Sequence, residues 1–308
     1  MIEVRDLTQE YGDERVLDRV SFVARRGEVT GLLGPSGSGK SVLMRLILGT
    51  ESPTAGTVLV NGLSRTGVSR RTVAAMVADR ELDDSRSAAD HLWHLAVGDG
   101  VGRRRVAEVL EEAGLSAVAA KPVGCLSTGA RQRLRIAGVL LAGAEVLLFD
   151  SPMTGLDAGG IRWARELLNS LAREGRTVLV SGSDVNEMMF TARQVFVLRR
   201  GELIVESSAH ELVEHFRGDV FVRSPRRGAL MRLLSRMGGT VLPEPGGGLA
   251  VTGVEAWQIA SVAAAHFIPV QEITPRVVSL EEFCGQTETD SQNGRLEEQP
   301  EILQRTHK

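Results

Sequence analysis

The chain has 308 residues, with 36 lysines and arginines against 39 aspartates and glutamates, long enough for one large domain and a small one. Its formal charge of −3 and 4% aromatic content argue against a polyanion binder or a base-stacking platform. Arginine pairs such as Arg25-Arg26 and Arg199-Arg200, and the run Arg103-Arg104-Arg105, lie among acidic residues, as on solvated faces, so no nucleic-acid partner is expected.

Cys125 and Cys284 form no ligand pattern and suit a reducing compartment. The start Met1-Ile2-Glu3-Val4-Arg5-Asp6 is charged too early for a signal peptide, and no apolar run approaches the ~18 residues of a membrane span. Work at a membrane would therefore run through a partner.

In chain order, period-two segments at residues 2–7 and 20–23 predict strands. The apolar Val29-Thr30-Gly31-Leu32-Leu33 then leads into Gly34-Pro35-Ser36-Gly37-Ser38-Gly39-Lys40-Ser41 and a helix-like Val42-Leu43-Met44-Arg45-Leu46-Ile47-Leu48. That strand, glycine-rich loop and helix form a phosphate cradle. Glycines turn backbone N–H groups inward, Lys40 reaches the outer phosphates, and the Ser41 hydroxyl suits a Mg²⁺ ligand. A nucleoside triphosphate is the expected ligand.

Residues 56–62 read as a strand closing on the Asn61-Gly62 turn, and residues 85–115 turn helical, with Leu92, Leu95 and Ala96 on one face and Val106, Val109, Leu110 and Ala113 on another. Apolar runs at residues 146–149 and 178–180 flank a helix carrying Trp163, Leu167, Leu168 and Leu171, which predicts a parallel α/β sheet with a helical insertion. From Asp219 the order becomes βαββαβ, with a last strand near residues 268–273, as in a small split α/β sandwich. The polar tail from residue 286 is expected to be disordered.

Three later motifs identify a resemblance. Leu126-Ser127-Thr128-Gly129-Ala130-Arg131-Gln132-Arg133 resembles the signature of ABC transporter ATPases, Leu147-Leu148-Phe149-Asp150 their acidic metal-binding strand, and Gly155-Leu156-Asp157 their dimer-facing loop. Tyr11, in Gln9-Glu10-Tyr11-Gly12, stands where that family places an aromatic ring against adenine.

The resemblance covers residues 1 to about 206. It implies an α/β P-loop NTPase fold of ABC type, with a mixed sheet core, an antiparallel β subdomain and a helical insertion at about 79–143. The expected domains are 1–218 for ATP binding, 219–285 for the small α+β unit and 286–308 for the tail. The extension, ending in Val278-Ser279-Leu280-Glu281-Glu282-Phe283, resembles that of drug and antibiotic exporters whose ATPase and permease are separate chains.

Each motif also has a plainer reading. Tyr11 can be a surface ring, Ser127 and Gly129 a helix cap, and Asp150 a strand terminus, although an uncompensated buried carboxylate there would be costly. The resemblance implies ATP gripped by Tyr11, Gly34, Ser36, Gly37, Ser38, Gly39, Lys40 and Ser41. It implies Mg²⁺ held by Ser41 and, through water, by Asp150. Ser127 and Gly129 would close on the nucleotide of a second ATP-binding subunit, identical or not, along the loop carrying Asp157. An integral-membrane permease would hold the chain at the cytoplasmic face of the membrane.

Three positions depart from the family. Ser151 replaces the carboxylate that orients the attacking water, Ser183 replaces the histidine on the outer phosphate, and Ala78 replaces the glutamine between metal and water. In the signature, Thr128 and Ala130 replace glycine and glutamine. Loss of a positioned base costs roughly 10²- to 10⁴-fold in rate, so weak intrinsic hydrolysis is expected. The competing reading shifts the missing roles to Asp79, Asp184 or Glu187. A non-transport switch protein that dimerises on ATP is the alternative function.

Overall fold

The computed structural model describes residues 1–64, 72–76, 82–98, 100–277, 280 and 283. The chain divides into two compact units, Met1–Leu212 and Val213–Lys308. This division lies ahead of residue 219, and the first strand of the second unit already begins at Arg217.

The first unit opens with strands β1 (Ile2–Tyr11), β2 (Glu14–Ala24) and β3 (Val29–Leu33), then helix α1 (Lys40–Leu48). Strands β4 (Ala55–Val60), β5 (Leu63–Ser64) and β6 (Val73–Met76) precede α2 (Ala88–Gly98), α3 (Arg103–Glu112) and α4 (Thr128–Leu140). After these come β7 (Val146–Phe149), α5 (Ala158–Arg173), β8 (Thr177–Gly182), α6 (Val185–Thr191), β9 (Gln194–Arg199) and β10 (Glu202–Ser208), and α7 (Ala209–His215) spans the boundary between the units.

Two sheets result. An antiparallel sheet has the order β2-β1-β4-β5, with its β4–β5 turn made by Asn61 and Gly62, both at positive φ. The other has the order β10-β9-β3-β8-β7-β6, parallel throughout except for the antiparallel edge pair β9–β10. Every residue of β3 and β7 is buried, as expected of strands covered on both faces. The core joins the sheets through α1: Ile2, Val4, Leu7 and Leu17 pack with Leu43, Met44 and Ile47 and with Leu32, Leu148, Leu179 and Phe196. The sheet core is thus mixed, and helices α2 to α4 form the insertion; its expected first residues, 79–81, lie outside the described residues.

The second unit runs β11 (Arg217–Arg223), α8 (Arg227–Arg236), β12 (Thr240–Pro243), β13 (Gly248–Thr252), α9 (Ala256–Ala265) and β14 (Glu272–Val277). Its antiparallel sheet has the order β12-β13-β11-β14, so the βαββαβ expectation holds. Val222, Leu230, Leu234, Leu249, Val251 and Ile259 form its core between sheet and helices. Gly248 is needed on the other face, because a Cβ there would come within 2.1 Å of the Phe221 ring.

One strand is displaced from its expected place. β14 starts at Glu272, not near 268, because Pro269 has no N–H to give a ladder and its carbonyl instead accepts from the Ser224 hydroxyl at 2.7 Å. Ile268 still fills the core, ahead of the strand. The expected tail 286–308 lies outside the described residues.

Candidate functional site

Three adjacent parallel strands, β3, β8 and β7, deliver the chemistry-bearing segments to one edge of the six-stranded sheet. The glycine-rich loop leaves the carboxyl end of β3, Ser183 follows β8, and Asp150 and Ser151 follow β7. Backbone bonds tie these ends together: Gly34 N–H donates to the Gly182 carbonyl at 3.2 Å, and Asp150 N–H to the Met76 carbonyl of β6 at 2.9 Å. The crevice beyond the carboxyl ends of such strands is where α/β sheets bind ligands.

The loop is shaped by packing at its base and by backbone freedom at its crown. A Cβ on Gly34 would lie 2.3 Å from the Leu198 carbonyl oxygen and 2.5 Å from Ser38 Oγ, so only glycine fits. Gly37 and Gly39 have φ of 78° and 103°, and Ser36 and Gly37 are exposed. Gly39 caps α1 without any side-chain bond, leaving the helix N-terminus to an outside anion.

Lys40 is only 9% exposed, and its Nζ donates to the carbonyls of Gly34 at 2.6 Å and Pro35 at 2.7 Å. Burial lowers its pKa, and the nearby charge of Asp150 opposes that shift. Ser41, one residue further, is half-buried.

Asp150 carries the clearest signal of a missing partner. Its Oδ1 accepts from the Ser181 hydroxyl at 2.5 Å, whereas Oδ2 is buried with no hydrogen-bond partner. Leaving a buried charged acceptor unmade costs about 1–3 kcal/mol or more, and a hydrated cation would satisfy it. No cluster of three or more His, Cys, Asp or Glu side chains among the described residues could hold a metal. The single unpartnered Asp150 oxygen fits Mg²⁺, which usually takes one or two carboxylates and otherwise keeps water and phosphate oxygens.

Tyr11 ends β1 and is 44% exposed, and its hydroxyl donates to Glu51, which also accepts from Arg45 of α1. Burial and the Glu51 contact raise the Tyr11 pKa; the Tyr11 hydroxyl, more than Arg45, lowers that of Glu51. The tether occupies the hydroxyl, and the residue stays exposed.

The signature residues form a separate group. Ser127 caps α4, accepting from Ala130 N–H at 3.2 Å, so the plainer reading of that serine is realised. A Cβ on Gly129 would sit 3.6 Å from the Gly155 carbonyl, placing this turn against the loop whose Asp157 caps α5 at 2.7 Å from Gly160 N–H. Ser127 and Asp157 are both exposed.

The three departing positions are Ser151, Ser183 and Ala78. Ser151 is held at φ 53° and Ser183 is exposed at the end of β8, while Ala78 lies outside the described residues. Of the substitute carboxylates, Asp79 also lies outside them. Asp184 caps α6, accepting from Glu187 N–H at 2.9 Å. Burial raises the pKa of Glu187, as does the charge of Asp184, against an opposing effect from Arg165.

Sequence reasoning passed over Ser181, Glu51 and the role of Gln132. Buried Gln132 donates through Nε2 to the carbonyls of Ser151 and Pro152, both at 3.1 Å. A polar residue continuing the apolar run 178–180 was the available signal for Ser181.

Known proteins give the same picture. The family model described as ABC transporter matches residues 17–154, and a domain of unknown function matches residues 218–281. The chain is 28% identical to the lantibiotic transport ATP-binding protein SrtF of Streptococcus pyogenes, over 73% of this chain and 100% of that protein. It is 33% identical to the Nod factor export ATP-binding protein I of Ralstonia nicotianae, over 70% of this chain and 69% of that one. Among solved structures, dimeric MJ0796, a bacterial ABC transporter cassette, superposes with a TM-score of 0.63 at 27% identity, over 68% of this chain and 99% of the cassette. The same cassette has been solved as a dimer bound to ADP and Pi, with a TM-score of 0.63 at 26% identity and the same coverage.

Proposed function

The chain belongs to the ABC transporter ATP-binding proteins, and on that premise we propose that it is the nucleotide-binding subunit of an exporter, one that grips ATP far better than it hydrolyses it. The observation that carries this reading is the pairing, at one sheet edge, of a complete phosphate loop and an orphaned Asp150 oxygen with serines at 151 and 183. Lys40 and the loop N–H groups bind the phosphates, and the Tyr11 ring stacks on adenine. Ser41 and Asp150 hold Mg²⁺, which neutralises charge on the outer phosphates when bound.

A serine at 151 is no base at neutral pH, and a serine at 183 brings no imidazole to the phosphate. Ser127 and Gly129 close on the nucleotide of a second subunit. With a catalytically complete partner, one composite site turns over and the other clamps ATP. The transport and export names of the relatives support a separate permease as the second partner, with the chain on its cytoplasmic side. No helix among the described residues is long and apolar enough to cross a membrane.

Calorimetric titration of the purified chain with ATP and Mg²⁺, alongside steady-state turnover, tests the reading. Wild type should bind, Lys40→Ala should bind far more weakly, and turnover should fall well below the ~1 s⁻¹ at the low end for enzymes, unchanged by Ser151→Ala. Equal affinity in wild type and Lys40→Ala refutes the site. Fast, Lys40-dependent hydrolysis by the chain alone refutes the loss of chemistry.

A further inference from the structure

Ser181 ends the buried part of β8 and is 2% exposed. Its hydroxyl is used twice: it accepts from Ser151 N–H at 2.9 Å and donates its proton to Asp150 Oδ1 at 2.5 Å. One side chain on β8 thereby grips both the carboxylate and the backbone of the turn that leaves β7.

The two bonds reinforce each other. A hydroxyl has a single proton, and accepting from an N–H polarises it towards the carboxylate. The orientation of an aspartate carboxylate is weakly set by its own torsions, because the terminal χ2 well is broad. An outside donor must therefore choose which oxygen is spent and which is left. Here Oδ1 is spent on Ser181, and Oδ2 remains buried and unpartnered. Ser151 is meanwhile held at φ 53°, a conformation that non-glycine residues seldom adopt, between Ser181 on its N–H and Gln132 on its carbonyl.

We propose that Ser181 is the positioning residue of the cation seat: it fixes the Asp150 carboxylate so that Oδ2 is left for Mg²⁺, and it pins the Ser151 backbone beside it. This rests on the ATP·Mg²⁺ reading above. It predicts that Ser181 acts on metal-dependent affinity and not on the grip of the phosphate loop, which is made by Lys40 and backbone N–H groups. A serine that merely fills its own hydrogen-bonding needs in a buried strand would affect stability alone.

The test compares full-length wild type with Ser181→Ala, Ser181→Cys and Ser181→Thr. ATP affinity is measured in Mg²⁺ and in EDTA, and the Mg²⁺ concentration giving half of the enhancement is titrated. Ser181→Ala should lower the Mg²⁺-dependent enhancement by about ten-fold or more, the effect of removing a hydrogen bond to a charged group, and leave affinity in EDTA within about two-fold. Ser181→Thr, which keeps the hydroxyl, should recover most of the enhancement. Ser181→Cys, nearly the same size with a weaker donor, should fall between, and it serves as the test if the alanine variant does not fold. Melting temperature lowered with an unchanged Mg²⁺ enhancement, in either Ser181→Ala or Ser181→Cys, overturns the proposal. Wild-type ATP binding that is indifferent to Mg²⁺ would instead overturn the metal reading on which it stands, and that outcome is visible without any variant.

Discussion

Gly34→Ala and Gly37→Ala introduce the same methyl group into the same loop, yet the structure assigns them different penalties. At Gly34 the new Cβ would lie 2.3 Å from the Leu198 carbonyl oxygen and 2.5 Å from Ser38 Oγ. Ordinary contact needs roughly 3.4 Å or more, so the gap must open by about 1 Å. Leu198 cannot yield cheaply, since it lies in β9 between β3 and β10. Overpacking costs about 1–3 kcal/mol, and a backbone obstacle puts this case at the upper end, ~3 kcal/mol.

At Gly37 nothing lies within 4 Å, and only the φ of 78° penalises a side chain, by about 1–2 kcal/mol. For a unit of this size 1 kcal/mol moves the melting temperature by about 2–4 °C, so Gly34→Ala should melt ~6–12 °C below wild type and Gly37→Ala about 2–8 °C below. ATP affinity should follow a different order. Gly37→Ala disturbs the exposed crown of the loop proposed to hold the phosphates, so it should lose affinity out of proportion to its stability. Thermal melts and ATP titration of the two variants decide the matter; equal melting temperatures, or a greater loss in Gly37→Ala, would refute the packing argument.

Glu187 supplies a pH prediction. Its folded pKa is raised, by burial first and by Asp184 second. Below the unfolded pKa both states hold the proton and there is no penalty; as pH climbs through the folded pKa, the native carboxylate ionises against its surroundings and stability falls. Glu187→Gln should therefore have the higher urea midpoint at about pH 7 and lose that advantage near pH 4; an advantage that persists at low pH contradicts the assignment. Separately, a chain of residues 1–215, which keeps α7 whole, should bind ATP within about three-fold of full length while self-associating less. A soluble, folded fragment that no longer binds ATP would show that the second unit contributes to the grip.

The candidate phosphate loop was legible in the residues because each part is local. A phosphate loop needs only consecutive positions: glycines where the backbone turns, a lysine and a serine at the start of a helix, and an apolar strand before them. The same holds for the cap at Ser127, realised in α4, and for the Asn61-Gly62 turn, realised between β4 and β5. The alternation of strand and helix likewise announced the sheet, and βαββαβ order announced the second unit. What local pattern could not supply is which strand ends meet. Residues 34, 150 and 182 are far apart in the chain, and only the order β3-β8-β7 sets them side by side. Ser181 and Glu51 escaped notice for that reason, since each acts on a residue at least thirty positions away, Asp150 in one case and Tyr11 in the other. The start of β14 was misplaced for a related reason: Ile268 reads as strand by its apolarity, but the Pro269 carbonyl is engaged by Ser224 from across the unit. Short-range chemistry determined which groups the candidate site contains, and tertiary packing decided how those groups are aimed.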